Sequence, residues 1–161
     1  DTPATDGYSV ALQLAHYAKE GAYDLIIGGR ESIDYNGGMV PGMVAKIIGA
    51  NFINTCISLE VEDTKVTAIR EIDGGKETLE TTLPLVIGGQ KGLVEESDLR
   101  IPNMHGIMQA RSKPLQVKQG VEQSPRSQAT TFEKPAPRGA VKLVDNVDQL
   151  IDLLHNEAKV I

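Results

Sequence analysis

Tyr23-Asp24-Leu25-Ile26-Ile27-Gly28-Gly29 is a short, unbroken apolar run stopped by two glycines. A half-exposed strand alternates apolar and polar residues, whereas a continuous run of this length predicts a strand covered on both faces, as in a parallel sheet. Just upstream, Thr5 or Asp6 is placed to cap a helix in which Val10, Leu14, Tyr17 and Ala18 recur at helical spacing, with Gly21 as its stop. A helix feeding straight into a buried strand predicts an α/β fold. Downstream, Gly29-Arg30-Glu31-Ser32-Ile33-Asp34-Tyr35-Asn36-Gly37-Gly38-Met39-Val40 forms a loop. A second helix is expected to begin at Pro41, whose fixed φ and missing N–H suit a first turn, and to end at Gly49.

From Phe52 to Gly88 the pattern changes to strands, expected over 56–62, 66–72, 78–82 and 85–87. Asp63-Thr64-Lys65 and Asp73-Gly74-Gly75-Lys76 supply the turns. This reads as an antiparallel meander beside the parallel strands. Beyond Gly92 regular periodicity disappears until Asp145. The stretch 116–139, rich in Pro, Gln, Ser, Thr and Lys, has the composition of an extended arm suited to wrapping a partner. Asp145 or Asn146 then caps a helix with Val147, Leu150, Ile151 and Leu154 on one face, a stripe that has to be buried somewhere. The expected organisation is an α/β part over 1–115 and an arm plus helix over 116–161.

The chain has 161 residues, 40% of them hydrophobic, which is enough for one ordinary domain with a core. A net charge of -6 argues against a phosphate backbone as partner, so no nucleic-acid binding is expected. No apolar run approaches the roughly 20 residues needed to cross a bilayer, and no signal-peptide pattern opens the chain. The chain is therefore expected to be soluble and not membrane-embedded. Cys56, the sole cysteine, sits among Ile53, Ile57 and Leu59 and reads as a small buried hydrophobe. His16, His105 and His155 are too scattered for a zinc site or a catalytic triad. Opening at Asp1 without an initiator Met, the chain reads as a fragment or a processed product.

Ala68-Ile69-Arg70-Glu71-Ile72-Asp73-Gly74-Gly75-Lys76-Glu77-Thr78-Leu79, followed by Pro84-Leu85-Val86-Ile87, resembles the signature segment of electron transfer flavoprotein beta subunits. Taken alone, Asp73-Gly74-Gly75 is an ordinary hairpin turn. Further matches follow in chain order. The run from Leu25 through Val40 resembles the family's adenine-nucleotide loop. Ile101-Pro102-Asn103 and Ile107-Met108-Gln109-Ala110-Arg111-Ser112-Lys113 resemble its partner-recognition loop, and 138–161 its C-terminal helix. The sequence departs from the family at Gly88, where Thr, Ala, Ser or Cys is usual. Family members also begin with a further strand-helix-strand region.

The resemblance implies an incomplete Rossmann-like sheet, similar to the adenine nucleotide alpha hydrolases, with the meander and a C-terminal arm. It implies a heterodimer with an electron transfer flavoprotein alpha subunit, FAD held mostly by that partner, and AMP or a second FAD buried in the beta subunit. The nucleotide-binding residues carried over are Gly29, Arg30, Ser32, Asp34, Asn36, Gly37, Gly38, Met39 and Val40. Gly37, Gly38 and Val40 stand where many members have Asn and Thr side chains, which leaves backbone N–H groups and the dipole of the following helix to hold phosphate. The plainer reading makes Asn36-Gly37-Gly38 a flexible turn. The partner-recognition residues carried over are Ile101, Pro102, Asn103, Ile107, Met108 and Arg111, with Ile101 as the apolar anchor. Here the plainer reading places Ile101, Ile107 and Met108 in the core. The loop is longer through Met104-His105-Gly106, and Gln109 and Ser112 replace basic residues.

Implied donors are dehydrogenases such as the acyl-CoA dehydrogenases of fatty acid oxidation, and the implied acceptor is a membrane quinone oxidoreductase or another carrier. The resemblance implies no catalytic residue in the chain itself. It implies a cytoplasmic location in a bacterium or the mitochondrial matrix in a eukaryote, the cytoplasm being preferred. Two other classes remain open from the residues: a nucleotide-binding enzyme or module of related fold, and a cofactor-free interaction subunit.

Overall fold

The computed structural model describes residues 6–33 and 35–161, so Thr5 and Asp34 lie outside the described residues. The chain divides into two compact units, Asp1–Gln128 and Ala129–Ile161. In the first unit, α1 (Gly7–Gly21), β1 (Leu25–Gly29) and α2 (Val40–Ile48) precede β2 (Asn51–Glu62), β3 (Lys65–Ile72), β4 (Gly75–Thr82) and β5 (Leu85–Gly89). A one-turn 3-10 helix at Glu96–Asp98 and α3 (Met104–Ala110) complete its elements.

The sheet order is β1-β5-β2-β3-β4. β5 returns from the meander to lie between β1 and β2, parallel to both, while β2, β3 and β4 pair antiparallel. The α/β class is as expected, and the antiparallel meander holds for β2, β3 and β4, with β2 and β4 starting earlier than the alternation predicts. The strand at 85–87, expected to close the meander, instead joins the parallel strands as β5. The strand covered on both faces is β5: Leu85, Val86, Ile87 and Gly88 are all buried. Leu85 and Ile87 join Ile53, Cys56, Val66 and Ala68 in one cluster. Val86 points the other way, into Ala11, Ala15, Val44 and Ala45 of the two helices. β1, expected to be covered on both faces, is an edge strand among the described residues, and Ile27 is 60% exposed. An apolar run records the capacity to be covered; strand order decides whether neighbours arrive.

The helices follow their caps. Asp6 accepts from the Ser9 N–H (2.8 Å) and hydroxyl (2.6 Å), and Ala22 ends α1 in the left-handed region. The inward face of α1 keeps Ala18 of the expected residues but is otherwise shifted. Ala11, Ala15 and Ala18 are buried with Ser9, while Leu14 and Tyr17 are half-exposed. Small side chains one position along let the helix approach α2 and the sheet more closely than the larger ones permit. In α2 the expected start and stop hold, with Pro41 in the first turn and Gly49 at φ 79°.

Cys56 is fully buried, and burial pushes its thiol pKa up, as a structural cysteine requires. Residues 116–128, expected to begin the arm, belong to the first unit and run along α1. In the second unit, Asn146 caps α4 (Val147–Asp152), which continues as a π-type turn over Leu153–Ala158. A Lys142–Glu157 ion pair at 2.6 Å ties the unit together, and the stripe Val147, Leu150 and Ile151 stays half-exposed or more.

Replacing Ile87 with Ala should cost about 2–5 kcal/mol in urea unfolding, because it opens a cavity where both β neighbours are fixed. The Asp6 carboxyl is held well below the usual carboxylate range, first by the Ser9 hydroxyl and amide and then by the Ser127 and Arg126 amides. A carboxyl lowered on folding contributes fully above its ordinary pKa and loses that contribution as pH falls through the lowered value. The protection of the Ser9 amide, its exchange rate relative to that of an unstructured chain at the same pH, should therefore be flat from neutrality to about pH 5 and fall below about pH 4, and Asp6→Ala should abolish that acid limb.

Candidate nucleotide site and exposed recognition residues

β1 and β5 end side by side in matched sequence, with Ile27 opposite Ile87, Gly28 opposite Gly88 and Gly29 opposite Gly89. Beyond these carboxyl ends lies an open cleft of about 470 Å³ lined by Gly29, Arg30, Glu31, Gly89, Gln90 and Lys91. Open α/β sheets bind ligands in this position. The Arg30 N–H donates to the Gly89 carbonyl (3.1 Å) and the Gln90 N–H to that of Cys56 (2.9 Å), so the ladders extend into the cleft floor. Arg30 Nη1 donates to Gln90 Oε1 (3.0 Å), Arg30 Nη2 pairs with Glu31 (2.8 Å), and Gln90 Nε2 donates to Glu71. One polar chain thus crosses from the loop after β1, over β5, to β3. Among the described residues, Lys91 makes no ion pair.

The loop above the cleft is closed by a bridge in which the Ser32 N–H donates to the Gly37 carbonyl (3.1 Å). Asn36 takes φ 52° at its turn, which Asn tolerates better than most residues. A Cβ on Gly28 would stand 3.2 Å from the Pro41 ring, and one on Gly38 3.3 Å from the Arg30 carbonyl, so both glycines are close approaches of chain to chain. Met39 stands at the N-cap of α2 without a side-chain bond, and no acidic residue occupies its first turn. Among the described residues no side chain caps this helix start, a place whose N–H groups suit an anion.

Of the expected nucleotide residues, Gly29 and Arg30 line the cleft. Ser32, Asn36 and Gly37 form the bridged loop, and Gly38, Met39 and Val40 lead into α2. Asp34, also expected at this site, lies outside the described residues. Glu31, Gly89, Gln90 and Lys91 were not anticipated. Their signal was the second Ile-Gly-Gly ending, Ile87-Gly88-Gly89, which repeats Ile27-Gly28-Gly29. Arg70, which carried no expected role, pairs with Glu77 across β3 and β4 at 2.5 Å. Cations at Arg30 and Lys91, backbone donors and two close-packed glycines fit a nucleotide phosphate. Among the described residues no cluster of three His, Cys, Asp or Glu could hold a metal.

Sequence reasoning also missed Asn54. β2 bulges where its pairing with β5 shifts between Ile53 and Cys56, and Thr55 sits at φ 53°, a costly conformation for a β-branched residue. The Thr55 hydroxyl braces the bulge by donating to the Glu71 carbonyl (2.7 Å). The bulge turns Asn54 across β5, where its Oδ1 is buried and, among the described residues, unpaired. A Cβ at residue 88 would overlap that oxygen outright and lie 3.6 Å from Arg30 Cα. Glycine at 88 is thus the counterpart of Asn54, beside the cleft.

Ile101 is 83% exposed, and Pro102, Asn103, Ile107, Met108 and Arg111 are exposed as well, none of them joining either core cluster. The stretch expected as an irregular loop contains α3, capped by Asn103, whose Oδ1 accepts from the Gly106 N–H (2.8 Å).

The family model described as "Electron transfer flavoprotein domain" matches residues 1–120. The chain belongs to the electron transfer flavoprotein family. It is 35% identical to the electron transfer flavoprotein subunit beta of Bacillus subtilis, covering 100% of this chain and 66% of that protein. Identity is 30% to the subunit beta of Syntrophomonas wolfei, over 98% of this chain and 63% of the relative. The mitochondrial subunit beta of Arabidopsis thaliana is 35% identical over 85% of this chain and 56% of its own length. The chain therefore spans about two thirds of the length of the curated relatives it matches. No helix among the described residues is long and apolar enough to cross a membrane.

In this family member, Gly88→Ala should destabilise the fold by about 1–3 kcal/mol, the usual range for forcing atoms into filled space. Adding Asn54→Ala should recover most of the loss. Equal urea midpoints for Gly88→Ala and the unsubstituted chain would show that the two residues do not compete for the space.

Proposed function

We propose that the chain acts as the beta subunit of a heterodimeric electron carrier and holds an adenine nucleotide, AMP or a second FAD, in the cleft beyond β1 and β5. The observation that carries this reading is the cleft itself, which in a chain of this family sets Arg30 and Lys91 at the carboxyl ends of parallel strands, with α2 beginning, uncapped among the described residues, at the end of the loop that leaves β1. Arg30 meets phosphate oxygens with a planar fork of donors, and its tie to Gln90 limits the orientations it can take. Backbone N–H groups of the 35–40 segment and the α2 dipole supply the rest. The redox chemistry belongs to the bound flavin.

Under this proposal the chain takes no acid, base or nucleophile role. Electrons pass from dehydrogenases through the FAD shared with an alpha subunit to a membrane quinone oxidoreductase or another acceptor. Ile101, with Pro102, Asn103, Ile107, Met108 and Arg111 around it, is the proposed donor-recognition surface, an exposed apolar anchor in a polar rim. The proposed division of labour gives 1–115 to the nucleotide and 116–161 to the alpha subunit. The proposed location is the cytoplasm, or the mitochondrial matrix in a eukaryote.

Co-expression with a candidate alpha subunit tests the reading. A co-purified complex with flavin absorbance is expected, releasing one adenine nucleotide per heterodimer beyond the shared FAD. Arg30→Ala should weaken nucleotide retention by roughly tenfold or more, the scale of a hydrogen bond to a charged group. A colourless chain that associates with no alpha subunit and releases no nucleotide would overturn the proposal.

A further inference from the structure

Residues 118–127 lie antiparallel along α1 and touch it at four levels. Lys118 reaches Glu20 (3.7 Å) and stands 5.5 Å from the centre of the Tyr17 ring. One turn nearer the start of the helix, the Gln13 carboxamide makes a reciprocal pair with Val121, accepting its N–H at 2.7 Å and donating to its carbonyl at 2.8 Å. Next, the Arg126 guanidinium lies 4.7 Å over the Tyr8 ring. Finally, Asp6 Oδ2 accepts the N–H groups of Arg126 (2.6 Å) and Ser127 (2.9 Å). The other carboxylate oxygen, Oδ1, caps α1 through Ser9.

Two features make this more than incidental surface contact. The anchors at Gln13 and Asp6 read backbone groups of a segment with no regular structure, and those groups would otherwise face water alone. They also join residues more than a hundred positions apart, so they form only when the whole first unit is folded.

We infer that residues 118–127 are a strap latched onto α1, with the Asp6 carboxylate as its catch and Gln13 as a second fastening, and that the strap opens and closes as a unit. Opening frees ten residues, which fully extended span at most about 35 Å. The latch thereby sets the length of free chain ahead of residue 129. The neighbouring Ser127 hydroxyl, 3.5 Å from Asp6 Oδ2, makes the catch sensitive to any negative charge placed there. This inference is independent of nucleotide binding and of any partner, so its test uses the chain alone.

Asp6→Asn separates the latch from the helix. Asn caps a helix as well as Asp does, but its second group is an NH2 that faces the Arg126 and Ser127 donors instead of accepting from them. Ser127→Glu acts from the strap side and leaves α1 untouched, while Ser127→Ala keeps both backbone donors. Brief trypsin treatment at neutral pH reads cleavage after Lys118 and Arg126, and amide exchange reads Val121, Arg126 and Ser127. Asp6→Asn and Ser127→Glu should raise both by on the order of tenfold together, with unchanged helical circular dichroism, while Ser127→Ala stays near the unsubstituted chain. The latch is overturned if Ser127→Glu leaves cleavage and exchange unchanged, or if Val121 and Arg126 respond independently of each other.

Discussion

Burial of β5 on both faces is the constraint on which the first unit depends. Its Leu85 and Ile87 fill one apolar cluster and its Val86 the other, so a single five-residue strand joins the helical layer to the layer built from β2 and β3. Its late return between β1 and β2 also brings two Ile-Gly-Gly endings side by side. The cleft is a product of that insertion. Without it, Arg30 would have no Gly89 carbonyl to anchor its backbone and no Gln90 to orient its side chain.

The bulge in β2 shows how local strain is placed next to the candidate site. Thr55 occupies a backbone region that β-branched residues avoid, and the cost is offset by its hydrogen bond to the Glu71 carbonyl. What the distortion achieves is the delivery of Asn54 into space that Gly88 leaves open beside Arg30. The departure from the family's usual residue at 88 thus has a steric partner on another strand. The Glu31, Arg30, Gln90 and Glu71 chain then ties the same corner of the sheet together from above.

α1 serves two masters through one residue. Asp6 satisfies the first turn of the helix with one oxygen and the strap with the other, so helix formation and strap docking share a carboxylate. The inward face of α1 is lined with alanines because it packs closely on α2 and β5. The larger Tyr8 and Tyr17 are needed on the outer side, where Arg126 and Lys118 lie over them.

Most of the elements outside α3, and where they stop, are legible in the sequence by itself. Asp6, Asn146, Gly49, the Asp63-Thr64 and Asp73-Gly74 turns and the apolar runs all act through bonds or dihedrals within a few residues, so their meaning survives without tertiary context. It also carried the family, because the Ala68–Leu79 segment and its companions occur in order. That β1 is an edge among the described residues and β5 the doubly covered strand follows from the order of strands in the sheet, since both read as the same apolar run. Likewise, the pairing of Asn54 with Gly88, the relay through Gln90 and the strap on α1 join residues far apart in the chain. Such contacts are fixed by which surfaces meet when strands are ordered in a sheet, and residue spacing records nothing about that order.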